Sequence, residues 1–547
     1  MIIMNMKKYT IYILIGMMAA FVSCYDDKGN YEYHELEEVG IDTTGLGIQA
    51  EYAIMRYDTL RIAPNIYFEG ELVTDEEDAP LDYMWTIFSA TTGVGTNLVI
   101  DTIGYHIALD TIITRTGGNY YVQLAVTNRN DGIRQYYRTK VAVSEVFDGG
   151  WMVFYERADM PGYSDLSLVY NEWVKSYSKV NRIYNNLYSE NNGEPIPGTP
   201  IRCLDIAVSL VSGNNYIGLC TDKTLVGVSE NRMERALAFD DFFYQSPGTE
   251  APVWYGQHGS GVMSGYNSEI FINDGTIYTN TYSFSATEGR ATKFGMPKRS
   301  EDGVGELAAW NAELAHGTNY GVVVYDQTNQ CFRYAGFNSA RLEHFGEQDV
   351  AAHNFDINKT GMTMLMSDWG KGASSGVALI PFDYNIMAKD NERHLIVTNF
   401  SSSTPTDNNI CINTYKLTGK CGNINSATTM AASHVGSFIY YGAKNKLYRY
   451  AYDARGMAKA LWTAPNEGEE ITCVRIMKYY HGTVYGYGMV PNSDKLLHIA
   501  TWNEEKQEGH LYQYLIDPAS GDIQSNKCYD YVIPGKVKDM AWKFSMQ

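Results

Sequence analysis

From about residue 41 onward the chain alternates apolar and polar positions over short runs that break at Gly, Asn and Asp. In "YYVQLAVTNRNDG", Tyr120, Val122, Leu124 and Val126 fall on one side of a period-two pattern, and Tyr121, Gln123, Ala125 and Thr127 on the other. Asp131-Gly132 ends the run with hairpin chemistry, and "IRQYYRTKVAVSEV" begins a second alternating strand. Upstream, "LDYMWTIFSA" sets Tyr83, Trp85 and Ile87 on one face. Strands at this spacing over residues 41–147 predict an immunoglobulin-like β-sandwich.

The pattern changes at "FDGGWMVFYER", where Asp148-Gly149-Gly150 reads as a linker. From residue 148 to 547 one layout recurs: an apolar strand, a turn of Asn, Asp, Gly or Gln, then a second strand ending in Tyr or Arg-Tyr. "INDGTIY" turns at Asp274-Gly275, and "VVVYDQTNQCFRY" gives strands 322–325 and 331–334. A recurring hairpin over 400 residues points to a β-propeller. Seven blades of about 57 residues are favoured over six or eight, with paired sandwiches as the competing architecture. The short apolar strands "GWMVFYE" and "GKVKDMAWKF" lie at the two ends of this half and could share a blade, closing the ring without a free sheet edge. Amphipathic helical patterns are scarce; the best is "ENRMERALAFDDFF", Glu230 to Phe243. The 44 Tyr and 50 Gly against 15 Pro agree with an all-β chain.

The first residues carry an address. Lys7 and Lys8 precede an uncharged run, Ile11 to Val22. As a helix this run would span roughly 18 Å against a hydrocarbon core of about 30 Å. It fits the apolar region of a secretory signal over residues 1–23. Ser23-Cys24 resembles the lipobox of bacterial lipoproteins, which implies that Cys24 becomes a lipidated first residue; Phe21 stands where Leu is usual. A plain secretory signal with an incidental cysteine is the alternative. Asp26 and Asp27 directly follow, resembling the surface-export signal of Bacteroidetes lipoproteins, and residues 24–40 also read as a solvated acidic tether.

Taken together, "CYDDKGNYEYHELEEV", "YMWTI" and "GGNYYVQLAVTN" resemble the PKD-like lipoprotein family of Bacteroidetes, over the first 150 residues. "GWMVFYE" and "GKVKDMAWK" resemble the propeller half of the same proteins. The resemblance implies an outer-membrane, surface-exposed lipoprotein working with a SusC/SusD-type transporter in nutrient uptake. The "WDFGDG" signature of typical PKD domains is absent, and no binding site carries over.

Chemistry is sparse. A net charge of −20 argues against nucleic acid, which requires a basic face. Seven cysteines follow Cys24 without a C-x-x-C pair, so zinc is unsupported; they read as buried thiols, with Cys411 to Cys421 as the one bridge considered. Histidines are scattered. "DINKTG", Asp356 to Gly361, matches part of a calcium loop but has Ser367 where a bidentate Glu is needed, so a tight turn explains it better. No metal or cofactor is expected. No catalytic motif is present. Glu156, Asp205 and Asp326, in or at the ends of predicted strands, are the carboxylates a propeller hydrolase or lyase would use if they converged.

Aromatic residues give the leading candidates for ligand binding: Trp254 and Tyr255 in "APVWYGQHGSG", Trp310 in "ELAAWNAELAHG" and Trp369 in "SDWGKGASSG". The settings of Trp254 and Trp369 are glycine-rich and read as loops. Such a Trp either stacks on a sugar ring or anchors a peptide, or folds back to plug the propeller. Thr43, Thr59, Thr102 and Thr111 each follow an Asp and precede Thr or an apolar residue, resembling the O-glycosylation acceptor of exported Bacteroidetes proteins. Three functions compete: a non-catalytic surface protein binding glycan or peptide or docking on a transporter, a polysaccharide-active enzyme, and a purely structural partner.

Overall fold

A computed structural model describes residues 37–44, 47–90, 99–144, 146–147, 149–175, 180–206, 215–258, 267–282, 292–314, 319–337, 339–353, 355–374, 379–454, 456–478, 492–524 and 527–543. Cys24, Asp26 and Asp27 lie outside these residues. The chain forms two compact units, which divide near Val143. Among the described residues no helix is long and apolar enough to cross a membrane.

The N-terminal unit is built on a five-stranded sheet in the order Glu51–Met55, Arg134–Ser144, Gly118–Asn128, Leu81–Ser89, Asp101–Gly104. A three-stranded and a two-stranded sheet accompany it. Sequence alternation becomes burial: Tyr83, Trp85, Ile87, Val122, Leu124 and Val126 are buried, and Trp85 donates its indole N–H to the His106 carbonyl at 2.9 Å. The expected hairpin turn forms at Asp131-Gly132, where Gly132 has φ +75° and the Asp131 carboxylate accepts the Ile133 N–H at 2.8 Å.

The second unit is a β-propeller. Among the described residues its sheets number seven and follow one another in chain order. The second, fifth, sixth and seventh are antiparallel sheets of four consecutive strands, beginning with Pro200–Ile206, Thr363–Ser374, Ala427–Ala432 and Glu469–Ile476. The third has Pro252–His258, Asn267–Asn273 and Thr276–Tyr282, with Gly295 and Lys298 bonding to the last of these. The fourth pairs Val322–Asp326 with Cys331–Ala335, and Ala308 and Ala312 bond to its inner side. Inner strands of neighbouring blades touch one another: Pro200–Ile206 meets Gly535–Lys543 and Pro252–His258, and Ala427–Ala432 meets Thr363–Ser374 and Glu469–Ile476.

The ring closes as the end strands suggested. Gly535–Lys543 is the innermost strand of the first blade and pairs with Gly150–Arg157, setting Trp151 against Trp542 and Val153 against Met540. This pairing joins the two ends of the propeller half in one blade. Among the described residues seven apolar clusters fill the spaces between consecutive blades, the last joining Cys473, Leu496 and Leu511 to Trp151, Val153 and Val537.

One expectation is corrected. Glu230 to Phe243 is not a helix. Met233 is buried with φ +56°, so the chain turns sharply there; Arg235–Leu237 is the outer strand of the second blade, followed by a 3-10 turn at Phe239–Phe242. Burial of Phe239, Phe242 and Phe243 between the second and third blades overrides helix propensity. The reading of the cysteines as buried thiols holds for Cys411 and Cys421, the one bridge considered: both are free and buried. They belong to clusters on opposite faces of the fifth blade, and burial pushes both up to about 12, which keeps them protonated and inert.

Candidate functional site

The sequence candidates do not sit where glycine content suggested. Trp254 and Trp369 lie in innermost strands, Pro252–His258 and Thr363–Ser374, not in loops. The neighbouring glycines serve close approach. A Cβ on Gly256 would stand 1.8 Å from Asn311 Oδ1, and one on Gly370 would stand 2.8 Å from the Ser433 carbonyl. Glycine therefore marks where the next blade presses in. Trp310 is buried between the fourth and fifth blades, packed on Phe332 and Phe400. Tyr255 is fully buried, and its hydroxyl donates to Glu269 at 2.7 Å. Neither is an exposed anchor. Asp356 holds a turn by accepting the Asn358 N–H at 2.8 Å.

Trp254 and Trp369 remain half-buried, and each carries a cation on its ring. The Arg202 guanidinium lies 4.8 Å from the Trp254 ring centre, and the Lys478 ammonium 4.3 Å from that of Trp369. Trp254 also donates its indole N–H to Asn311 at 2.7 Å.

The two cations belong to a network that crosses the propeller's axis. Arg202, in the second blade, pairs with Glu313, which follows the inner segment of the fourth. Lys478, following the inner strand of the seventh, pairs with Asp368 of the fifth at 2.5 Å. Each link skips a blade, which only side chains on the axial side can do. Asp539, on the closing strand, binds Arg475 of the seventh blade at 2.6 Å and lies 3.5 Å from Arg202 of the second. It also accepts the Cys203 N–H at 3.0 Å. Asp368 likewise accepts the Ala432 N–H of the sixth blade at 2.8 Å. Both carboxylates thus tie adjacent blades together while neutralising the cations. Burial opposes charge on Arg202, and Glu313 and Asp539 more than offset it. Burial likewise opposes charge on Arg475, where Cys473, Asp539 and Asp368 more than offset it.

One carboxyl stands apart. Asp383, 4% exposed, lies across the strand pair from Trp369 and forms no hydrogen bond or ion pair among the described residues. Burial, then the charges of Glu313 and Asp368, push it well above the usual carboxylate range. Arg202, Arg475 and Lys478 pair with Asp539, Glu313 and Asp368. The site holds two half-buried tryptophans, a network of paired charges and one carboxyl with no hydrogen-bond partner among the described residues.

The three carboxylates proposed from the sequence are not brought together. Glu156 accepts the Gly162 N–H across a hairpin turn in the first blade. Asp326 is fully buried and caps a turn in the fourth, accepting from Gly305 and Asn329. Asp205 is on the inner strand of the second. Sequence reasoning missed Arg202, Arg475, Lys478, Asp368, Asp383 and Asp539. The signal available was a charged residue within an otherwise apolar innermost strand, as in "ITCVRIMK" and "VKDMAWK".

Among the described residues no group of three or more His, Cys, Asp or Glu is arranged to hold a metal. Of the Asp-Thr motifs, Thr43 and Thr102 are exposed, while Thr59 and Thr111 are half-buried in one strand pair.

The PKD-like family model matches residues 24–200. The match takes in the acidic tether, the sandwich and the strands of the first blade that precede the second. No curated protein matches the chain. Among solved structures, a quinonprotein alcohol dehydrogenase-like protein from Bacteroides thetaiotaomicron is 13% identical. That alignment covers 94% of this chain and all of the other, with a TM-score of 0.39. A PQQ-bound aldose sugar dehydrogenase from Streptomyces coelicolor is 8% identical, covering 62% of this chain and 94% of the other, with a TM-score of 0.26. An ancestral GH74 enzyme is 7% identical, covering 82% and 67%, with a TM-score of 0.22. The fold rests on the seven sheets and their closure, to which likenesses this distant add nothing.

Proposed function

We propose that the protein is a lipid-anchored, surface-exposed outer-membrane protein of a SusC/SusD-type uptake system, and that its propeller binds a glycan without turning it over. The observation that carries the binding reading is the axial pair of half-buried tryptophans, Trp254 and Trp369, beside a buried carboxyl with no partner, Asp383. Flat aromatic faces bind the apolar faces of sugar rings, and a fixed donor selects a hydroxyl. Asp539 and Asp368 are committed to cations and to backbone N–H groups of neighbouring blades, which favours holding over catalysis. The acidic residues behind Cys24 and the PKD-like match support the surface address.

The test is binding and melting of Trp254→Ala, Trp369→Ala and Asp383→Asn against a panel of glycans and peptides. Loss of a working aromatic anchor costs ~2 kcal/mol or more, about 30-fold in affinity. Trp310→Ala serves as the structural control: it lowers melting by removing a core side chain worth ~3–5 kcal/mol and leaves affinity unchanged. Unchanged glycan affinity in the axial variants overturns the site. Peptide binding alone moves the ligand class. Product release by the wild type instead favours the hydrolase reading, with Asp383 and Glu313 the first residues to replace.

A further inference from the structure

Asp383 lies on the strand Leu379–Lys389, where its register partners are Trp369 on one side and Thr398 on the other. Cross-strand partners share a face of the sheet, so Asp383 and Trp369 stand side by side. Neither carboxyl oxygen has a hydrogen-bond partner among the described residues, and neither is sealed from solvent. An acidic group taken largely out of water with nothing to bond costs stability. The charges that act on it are axial ones: Glu313 and Asp368 first, then Lys478.

The cations of the site are spent elsewhere. Lys478 gives its three N–H donors to the Asp368 carboxylate and to the carbonyls of Trp369 and Ala432. Arg202 pairs with Glu313 and Asp539, and Arg475 with Asp539. The neighbourhood of Asp383 is therefore acidic, and its own carboxyl is the uncommitted group in it.

That combination discriminates among ligands. A carboxylate on the ligand would be repelled by Glu313 and Asp368. A hydroxyl would leave the local field as it is. An ammonium offsets the field and brings three donors, which a carboxylate accepts in short, charge-assisted bonds. The adjacent Trp369 ring, which already holds the Lys478 ammonium at 4.3 Å, adds an electron-rich surface that favours a cation.

We infer that the axial site selects a saccharide carrying a free amino group, with Asp383 accepting its ammonium and Trp369 taking the ring that bears it. This rests on the reading of the axis as a glycan site and names which glycans it takes.

The experiment titrates the full mature chain with oligomers of glucosamine and, separately, with N-acetylglucosamine and glucose oligomers of the same length and linkage. At a pH below the pKa of the free amines, the glucosamine oligomers are expected to bind about 10-fold or more tighter than either neutral series. Raising the pH until the amines lose their charge abolishes that preference. In Asp383→Asn the ratio of amino to neutral affinity falls about 10-fold. The amide keeps the shape of the carboxyl without its charge, so melting stays at or above the wild-type temperature, which separates lost selectivity from lost fold. Lysine-rich peptides, which bring the ammonium without the ring, bind more weakly than the glucosamine oligomers. Equal affinity for the amino and neutral series, a preference that survives Asp383→Asn or loss of the amine charge, or tighter binding of the peptides overturns the inference. If neutral oligomers bind and lose affinity in Trp254→Ala and Trp369→Ala while amino oligomers gain nothing, the glycan reading stands and this inference falls. If no oligomer binds, both fall.

Discussion

Replacing Asp539 with Asn tests whether the axial network holds the ring closed. The side chain is 1% exposed, sits on the closing strand, and touches three things: Arg475, Arg202 and the Cys203 N–H. An amide oxygen can still accept the Cys203 N–H, so the substitution removes charge and leaves the shape. Breaking a buried ion pair by removing one partner costs about 3–5 kcal/mol. Two features reduce this. Arg475 is 27% exposed and recovers some hydration, and Arg202 keeps Glu313. The expected loss is about 2–3 kcal/mol. With a urea slope of about 3 kcal/mol/M or more, the midpoint moves down by roughly 0.5–1 M. Tryptophan fluorescence is a suitable probe because Trp151 and Trp542 face each other across the closing strand pair. Removing both charges, as Asp539→Asn with Arg475→Gln, should recover about 1 kcal/mol relative to the sum of the single changes. An unchanged midpoint in Asp539→Asn, or strict additivity in the double variant, would refute the view that these charges clamp the ring.

Two further outcomes are expected. His510 lies between Asp530 at 2.8 Å and Glu508 at 3.1 Å, contacts that raise it to about 9. Because its folded value exceeds the ordinary 6.5, its stabilisation, on the order of 2–3 kcal/mol, is complete below 6.5 and lost as pH rises through 9. His510→Gln should flatten that alkaline limb in urea midpoints measured across pH, and an unchanged limb would reject the assignment. Cys24→Ala should release the protein from the membrane fraction, whereas Asp26→Ala with Asp27→Ala should leave it anchored but protected from protease added to intact cells.

Period-two alternation was enough to find the sandwich strands, because one face of each is dry and the other wet: Val122, Leu124 and Val126 are buried, while Gln123 and Thr127 are not. The propeller was legible for a different reason. Each blade repeats a hairpin, and turn chemistry such as Asp274-Gly275, both at positive φ, is local. The axial site was not legible, because it is assembled from inner strands far apart in sequence: Arg202, Glu313, Asp368, Asp383, Arg475, Lys478 and Asp539 share no local pattern. Glycine misled for a related reason. Around Trp254 and Trp369 it was read as loop chemistry, yet Gly256 and Gly370 are where another blade fits against a strand, a cause that lies outside the local sequence. Trp254 and Trp369 were misplaced by context, and the cations on their rings explain why: each stays half-buried on an innermost strand, beside Arg202 and Lys478 respectively. A charged residue inside an apolar inner strand is therefore the pattern that leads to the axis of such a ring, and here it leads from "VKDMAWK" to Asp539 and from "ITCVRIMK" to Arg475 and Lys478.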